Sequence, residues 1–290
     1  MKKKWIPFGK KLMNELKEDR ATGLAAEQSY YYMLSLFPSM ILLLSIIPYL
    51  DINPQKVMNV LHTLMPRESS ELFEENVVKL VSERNGGLLT VGVLGTIWTA
   101  SNGMNAFIHS MNVAFDVEET RNFIVARLIS IGLTIGLIVA FIVALALPVF
   151  GDVILVTIEK FVLIPDEMEI LFRILRWLIA FSVIVIVLAM LYKLAPNKHY
   201  PFNQVIPGAI ISTFLWQLIS LGFSFYVSNF ANYSSTYGGL GGVIILMLWL
   251  YFTGLSLVIG GEINALVHRD LVSKKVRRTQ LVKQDQSVPL

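Results

Sequence analysis

The sequence predicts an all-α polytopic membrane protein: a bundle of six transmembrane helices, with an N-terminal interfacial helix and an amphipathic helix in the first extracellular loop. Three observations predict it. Hydrophobic residues make up 54% of the 290 and charged residues only 16%, against about 25% charged in a soluble domain. Several apolar runs reach the roughly 20 residues that a helix needs to cross a bilayer. The most distinctive run, Tyr237 to Ala265, has no charge from Gly241 until Glu262. It opens on Gly238, Gly239, Gly241 and Gly242 and closes on Gly260-Gly261-Glu262-Ile263-Asn264-Ala265.

Taken in order, residues 1–24 form a basic cytoplasmic arm. Ile6, Leu12, Met13, Leu16 and Leu24 share a broad helix face, and Lys10, Lys11, Lys17 and Arg20 suit lipid headgroups, so this arm is expected to lie in the interface. Residues 25–268 form the membrane domain. Its first span runs about 30–50, with Pro38 inside as a kink and Tyr30, Tyr31 and Tyr32 as aromatic anchors. In the polar connection 51–87, Ser69 or Ser70 followed by glutamates reads as a helix N-cap, and Leu72, Phe73, Val77, Leu80 and Val81 as an amphipathic face. The remaining spans are about 88–115, 124–150, 171–194, 205–230 and 241–268. In the third, Gly132, Gly136, Ala140 and Ala144 recur every four residues, a small-residue stripe that permits close helix packing. The tail 269–290 is basic, then polar, and reads as disordered.

Six spans return both termini to one side. Of the 24 Lys and Arg, seventeen fall on that side and seven on the other. This bias places both termini in the cytoplasm. It also accounts for the basic arms without nucleic acid. The chain has no cysteine, which excludes disulfides, thiolate metal sites and cysteine nucleophiles. His62, His109, His199 and His268 have no metal-ligand spacing, and no compact hydrolase or phosphate-loop motif is present. No enzyme activity and no cofactor are expected. Membrane lipids and a polar or lipid solute are the expected partners, and the sequence is compatible with an oligomer.

Two polar stripes interrupt the apolar spans. Asn102, Asn105, His109 and Asn112 follow helical spacing in span two, continued by Trp98. Thr213, Gln217, Ser220 and Ser224 do the same in span five. Neither stripe is comfortable against hydrocarbon. They either line a polar cavity for a solute or headgroup, or they are hydrogen-bonded seams that hold the bundle together. Glu262, near the cytoplasmic end of span six, needs a partner or a task. Arg127, at the same end of span three, suits a structural ion pair with it; a coupling or gating role is the alternative. Glu27 is placed to join that group.

The segments Tyr30-Tyr31-Tyr32-Met33-Leu34-Ser35-Leu36-Phe37-Pro38, Trp98-Thr99-Ala100-Ser101, Met111 to Glu119 with Arg121, Ala195-Pro196, Pro207-Gly208-Ala209 and Tyr237 to Ala265 together resemble the YihY/BrkB family of bacterial inner-membrane proteins. The resemblance covers roughly residues 10–268. It implies six membrane helices and a bacterial plasma membrane. Members have been labelled virulence-associated, and some were formerly labelled a tRNA-processing ribonuclease, a label these residues do not support. Movement of envelope lipids or other solutes has been suggested for the family. Glu27-Gln28 departs from the smaller or apolar residues expected there.

The leading expectation is therefore a membrane protein that binds or translocates a polar or amphipathic solute, with an envelope lipid as one candidate, through a polar cavity between the second and fifth spans. The alternative is a non-transporting scaffold whose stripes are packing contacts.

Overall fold

The computed structural model describes residues 2–50, 84–140, 166–230 and 239–285. The amphipathic loop helix expected within 51–87, the end of the third span, and Gly238 lie outside them. The described residues are helical almost throughout. They form α1 (Lys2–Glu18), α2 (Ala21–Ile46, extended by one 3-10 turn over Ile47–Tyr49), α3 (Gly86–Ala114), α4 (Phe123–Ala140), α5 (Asp166–Leu194), α6 (Phe202–Phe230) and α7 (Gly239–Asp285).

Five of these are long and apolar enough to cross a membrane: Ala21–Tyr49, Phe123–Ala140, Trp177–Leu194, Phe202–Val227 and Gly241–Lys274. At 29 residues, α3 reaches about 43 Å. That length spans a bilayer, but its asparagines, serines, threonines and histidine dilute its apolar character.

Local chemistry sets the helix ends. The Leu88 amide donates to Asn85 Oδ1 at the start of α3, and the Val125 amide donates to Asn122 Oδ1 at the start of α4. These are side-chain N-caps that satisfy otherwise unpaired amides. Arg20 and Asp116 take left-handed φ angles of 51° and 52°, just past the ends of α1 and α3. Because α1 stops there, α2 begins at Ala21, well before the expected start of the first span.

The tail departs further from expectation. It is helical to Asp285 rather than disordered. Once a span has nucleated a helix, each added residue costs little. No Gly or Pro follows Gly261 until Pro289, and Lys274 pairs with Asp270 one turn earlier at 2.6 Å.

The chain divides into two compact units, Tyr30–Gly103 and Met1–Ser29 with Met104–Leu290. In the first, α2 and α3 run antiparallel with glycines at the seam. A Cβ on Gly92 would meet the Leu42 backbone at 3.0 Å, one on Gly95 would meet Pro38 at 3.3 Å, and one on Gly103 would meet the Tyr32 ring at 2.8 Å. Pro38 is accommodated inside α2.

In the second unit α6 packs against both α5 and α7. Met104, Phe107, Met111, Phe115, Leu191, Tyr192, Val205, Ala209 and Ala265 form its core. The tightest point is a backbone contact between α6 and α7. A Cβ on Gly208 would collide with the Gly260 carbonyl, and one on Gly260 would collide with Ser212 Oγ and Tyr192 Oη. The Gly208 amide donates to Asn264 Oδ1 at 2.7 Å. Tyr192 Oη lies 2.7 Å from Ser212 Oγ and 2.8 Å from the Leu257 carbonyl, and Ser212 donates to the Ser256 carbonyl at 2.8 Å. These hydroxyls bind backbone at a place where only glycines let the helices approach.

By contrast, a Cβ on Gly132, Gly136 or Gly242 would meet nothing within 4 Å among the described residues. Small size alone did not identify the packed glycines. Gly208→Ala should lower stability by more than about 3 kcal/mol, since backbone cannot move aside as a core side chain can. Gly132→Ala should leave thermal unfolding of the detergent-solubilised protein unchanged. Equal stabilities for the two variants would refute the contact.

Candidate functional site

Three carboxylates meet at one end of the second unit. Glu15 and Asp19 are four residues apart at the end of α1, so they share a helix face. The left-handed turn at Arg20 ends α1 just beyond them. Glu262 comes from α7, directly after Gly260-Gly261, and is 0% exposed. One oxygen from each of the three lies within 4.8 Å of the others.

Both oxygens of Glu262 and Oδ2 of Asp19 are buried with no hydrogen-bond donor. Two ionised carboxylates cannot hydrogen-bond to each other; a proton or a cation between them is required. Arg269, two turns after Glu262, binds the rim of the group. It reaches Glu15 at 2.7 Å, Asp116 at 3.0 Å and the Ala114 carbonyl at 2.8 Å. Burial pushes the Asp19 carboxyl above the usual carboxylate range. The charges of Asp116 and Glu15 push the same way, while contact with Glu262 and the charge of Arg269 oppose them.

Neither Glu262 oxygen accepts a hydrogen bond, so none accompanies the expected Glu262–Arg127 ion pair. Arg127 lies on α4, and Glu262 faces α1. Glu27 is exposed and stands apart from this group. Its neighbour Gln28 is buried, and its Nε2 donates to Ser110 Oγ at 2.8 Å, tying α2 to α3.

The two stripes have different fates. On α3, Asn105 and His109 are exposed, Asn102 is half-buried and Trp98 is 58% exposed. Asn112 is instead buried in a polar clamp. It donates to Glu119 Oε2 at 2.9 Å and accepts from the Asn197 amide at 2.8 Å. Asn197 Nδ2 donates to the Glu118 carbonyl and to Thr120 Oγ1, and Arg121 joins Glu119 to the Ala195 carbonyl.

On α6, Thr213 is buried and donates to the Ala209 carbonyl of its own helix, and Ser220 accepts from Trp249 of α7 at 3.3 Å. Gln217 is half-buried and Ser224 is exposed. A cavity of about 590 Å³ does lie between α6 and α7. Its walls include Ile219, Phe223, Tyr226, Ile244, Leu248 and Phe252, and no residue of either stripe lines it.

The family model for the virulence factor BrkB matches residues 12–284 of this chain. The chain belongs to the BrkB family. Among curated relatives of this BrkB chain, the ribonuclease-like protein YfkH of Bacillus subtilis (strain 168) is 43% identical over 264 residues, 91% of this chain and 96% of that protein. A UPF0761 membrane protein of Vibrio vulnificus (strain YJ016) is 26% identical, covering 90% and 82%. Another, from Photobacterium profundum, is 28% identical, covering 91% and 81%. No solved structure matches.

The relatives and the apolar helices agree that this BrkB chain is a multi-pass helical membrane protein. Sequence reasoning singled out Glu262 but missed Glu15 and Asp19. Both sit in a charged arm that read as an interfacial surface. The available signal was their spacing of four immediately before the chain enters the membrane.

The clamp supplies a pH prediction. Hydrogen bonds from the Arg121 side chain hold the Glu119 carboxyl below its ordinary value of 4.5, against a smaller opposing effect of burial; the Arg121 amide and Asn112 assist. A carboxyl with a depressed folded value contributes stability above its unfolded value and loses it as pH falls through the folded one. Unfolding followed below pH 4.5 should therefore show an acid-dependent loss that is smaller in Glu119→Gln. At neutral pH that variant should lose about 1 kcal/mol or less, since the Glu119 side chain is 35% exposed and solvent screens the pair.

Proposed function

We propose that this protein binds or translocates a polar or amphipathic solute, with an envelope lipid as the favoured candidate. Both termini would face the cytoplasm of a bacterial inner membrane. The observation that carries the reading is the exposure of Asn105 and His109 on α3. His109 lies about 8 Å and Asn105 about 14 Å along the helix from Ala114. A polar face at that depth is costly against hydrocarbon and suits water, a headgroup or a solute. The ribonuclease-like name of the Bacillus relative describes that protein. In this chain the described carboxylate cluster joins the end of α1 to the middle of α7 within a membrane bundle and has no histidine beside it.

The scaffold alternative draws on α6. Thr213 bonds its own helix and Ser220 bonds Trp249, as packing contacts do. If α6 is a seam and α3 a solute-facing surface, only one of the two stripes serves transport.

The chain lacks cysteine, so single cysteines report cleanly. In intact membranes, Asn105→Cys and His109→Cys should react with a membrane-impermeant thiol reagent from the cytoplasmic side. Leu221→Cys, an exposed apolar position on α6, should not react from either side. Folded protein in which neither Asn105→Cys nor His109→Cys reacts from either side would transfer the case to the scaffold.

A further inference from the structure

We propose that Glu15, Asp19 and Glu262 form a binding site for a hard divalent cation of the magnesium, calcium and manganese class. The site stands apart from the solute reading, which rests on α3. Three features of the cluster carry it.

The first is donor chemistry. All three groups offer carboxylate oxygen, and no thiolate or imidazole stands among them. Hard cations select oxygen donors. Oxygens around a cation at about 2.0–2.6 Å are separated by no more than about 5 Å, and those of the cluster lie within 4.8 Å of one another.

The second is the state of the oxygens. An acidic cluster on a wet surface needs no ligand, because water satisfies it. Here Glu262 is 0% exposed, and both of its oxygens, with Oδ2 of Asp19, are buried and receive no donor. The orphaned acceptors of Asp19 and Glu262, on two carboxylates of one cluster, cannot be met by further protein carbonyls or carboxylates. They require positive charge or protons.

The third is the local charge. Among the described residues, Arg269 is the cation seen at this cluster. It is committed to the outer side, where it bridges Glu15, Asp116 and the Ala114 carbonyl. With Glu15, Asp19, Asp116 and Glu262 ionised, one guanidinium leaves most of the negative charge uncompensated. A divalent ion on the inner oxygens offsets two more charges and leaves Arg269 in place. Because Glu15 and Asp19 belong to the α1 end and Glu262 to α7, the ion would also tie the N-terminal helix to the last span.

The test uses the full chain in nanodiscs, stripped with chelator, and Mn²⁺ followed by electron paramagnetic resonance. The expected result is one saturable Mn²⁺ per chain, displaced by Ca²⁺ or Mg²⁺. Affinity should fall about tenfold or more in Glu262→Gln and in Asp19→Asn. It should be unchanged in Glu18→Gln, which alters an exposed neighbour on α1. Asp19, less buried than Glu262, keeps the test informative if Glu262→Gln fails to fold. The thermal midpoint of the unmodified protein should also rise with added divalent cation. Absence of a saturable site in folded protein would overturn the proposal, as would binding that survives both variants. Stabilisation by acid, with no response to any divalent cation, would overturn it in favour of shared protons.

Discussion

The backbone contact between α6 and α7 at Gly208 and Gly260 sets the geometry of the second unit. Helices held apart by side chains pack at about 8–10 Å between axes. Here neither glycine has room for a Cβ. The approach lets the Gly208 amide reach Asn264 Oδ1 and brings Ser212 within bonding distance of the Ser256 carbonyl. The Gly208 amide and the Ser212 hydroxyl, costly in a membrane when unpaired, thereby find acceptors, while Asn264 Nδ2 stays without a partner among the described residues. The same contact fixes the rotation of α7. Asn264, two residues beyond Glu262, is locked to α6, so Glu262 can turn only toward α1.

That rotation creates the tension at the acidic end. A membrane helix can carry a carboxylate near its terminus if the side chain reaches water or a partner cation. Glu262 does neither. It is enclosed by α1, whose end contributes two more carboxylates. Arg269 sits two turns further on and serves the rim, where it also secures the end of α3 through the Ala114 carbonyl and Asp116. The end of the unit therefore combines a well-satisfied clamp with an unsatisfied pocket. Asn112, Glu119, Arg121 and Asn197 form the clamp and bond one another through side chains and backbone. The contrast argues that the pocket's unmet acceptors have a use.

Much of this architecture was legible in the residues. Helix identity followed from long apolar runs. The family resemblance was legible too, because its motifs are continuous stretches of sequence spread over most of the chain. The candidate site was read less completely. Glu262 was conspicuous as a lone charge in an apolar run, and Arg127 as an opposite charge near the same end of another span. Glu15 and Asp19 were hidden in plain composition, as two acids among many charges on a surface arm. Gly132 and Gly136 have helical spacing and open surroundings, whereas Gly208 and Gly260 are the pair that touch.

Hydrophobicity and charge distribution by themselves determined that this chain crosses a membrane as helices, because each helix satisfies its own backbone whatever its neighbours do. Polar spacing within single spans likewise identified Asn105, His109, Thr213 and Ser220 as residues needing an explanation. Which of them face outward and which face a neighbour was decided by tertiary structure alone. A helical period gives the face of a helix but not its rotation in the bundle. That rotation depends on a few close contacts between residues far apart in the chain, such as Gly208 with Gly260 and Gln28 with Ser110. The meeting of Glu15, Asp19 and Glu262 is a consequence of those contacts.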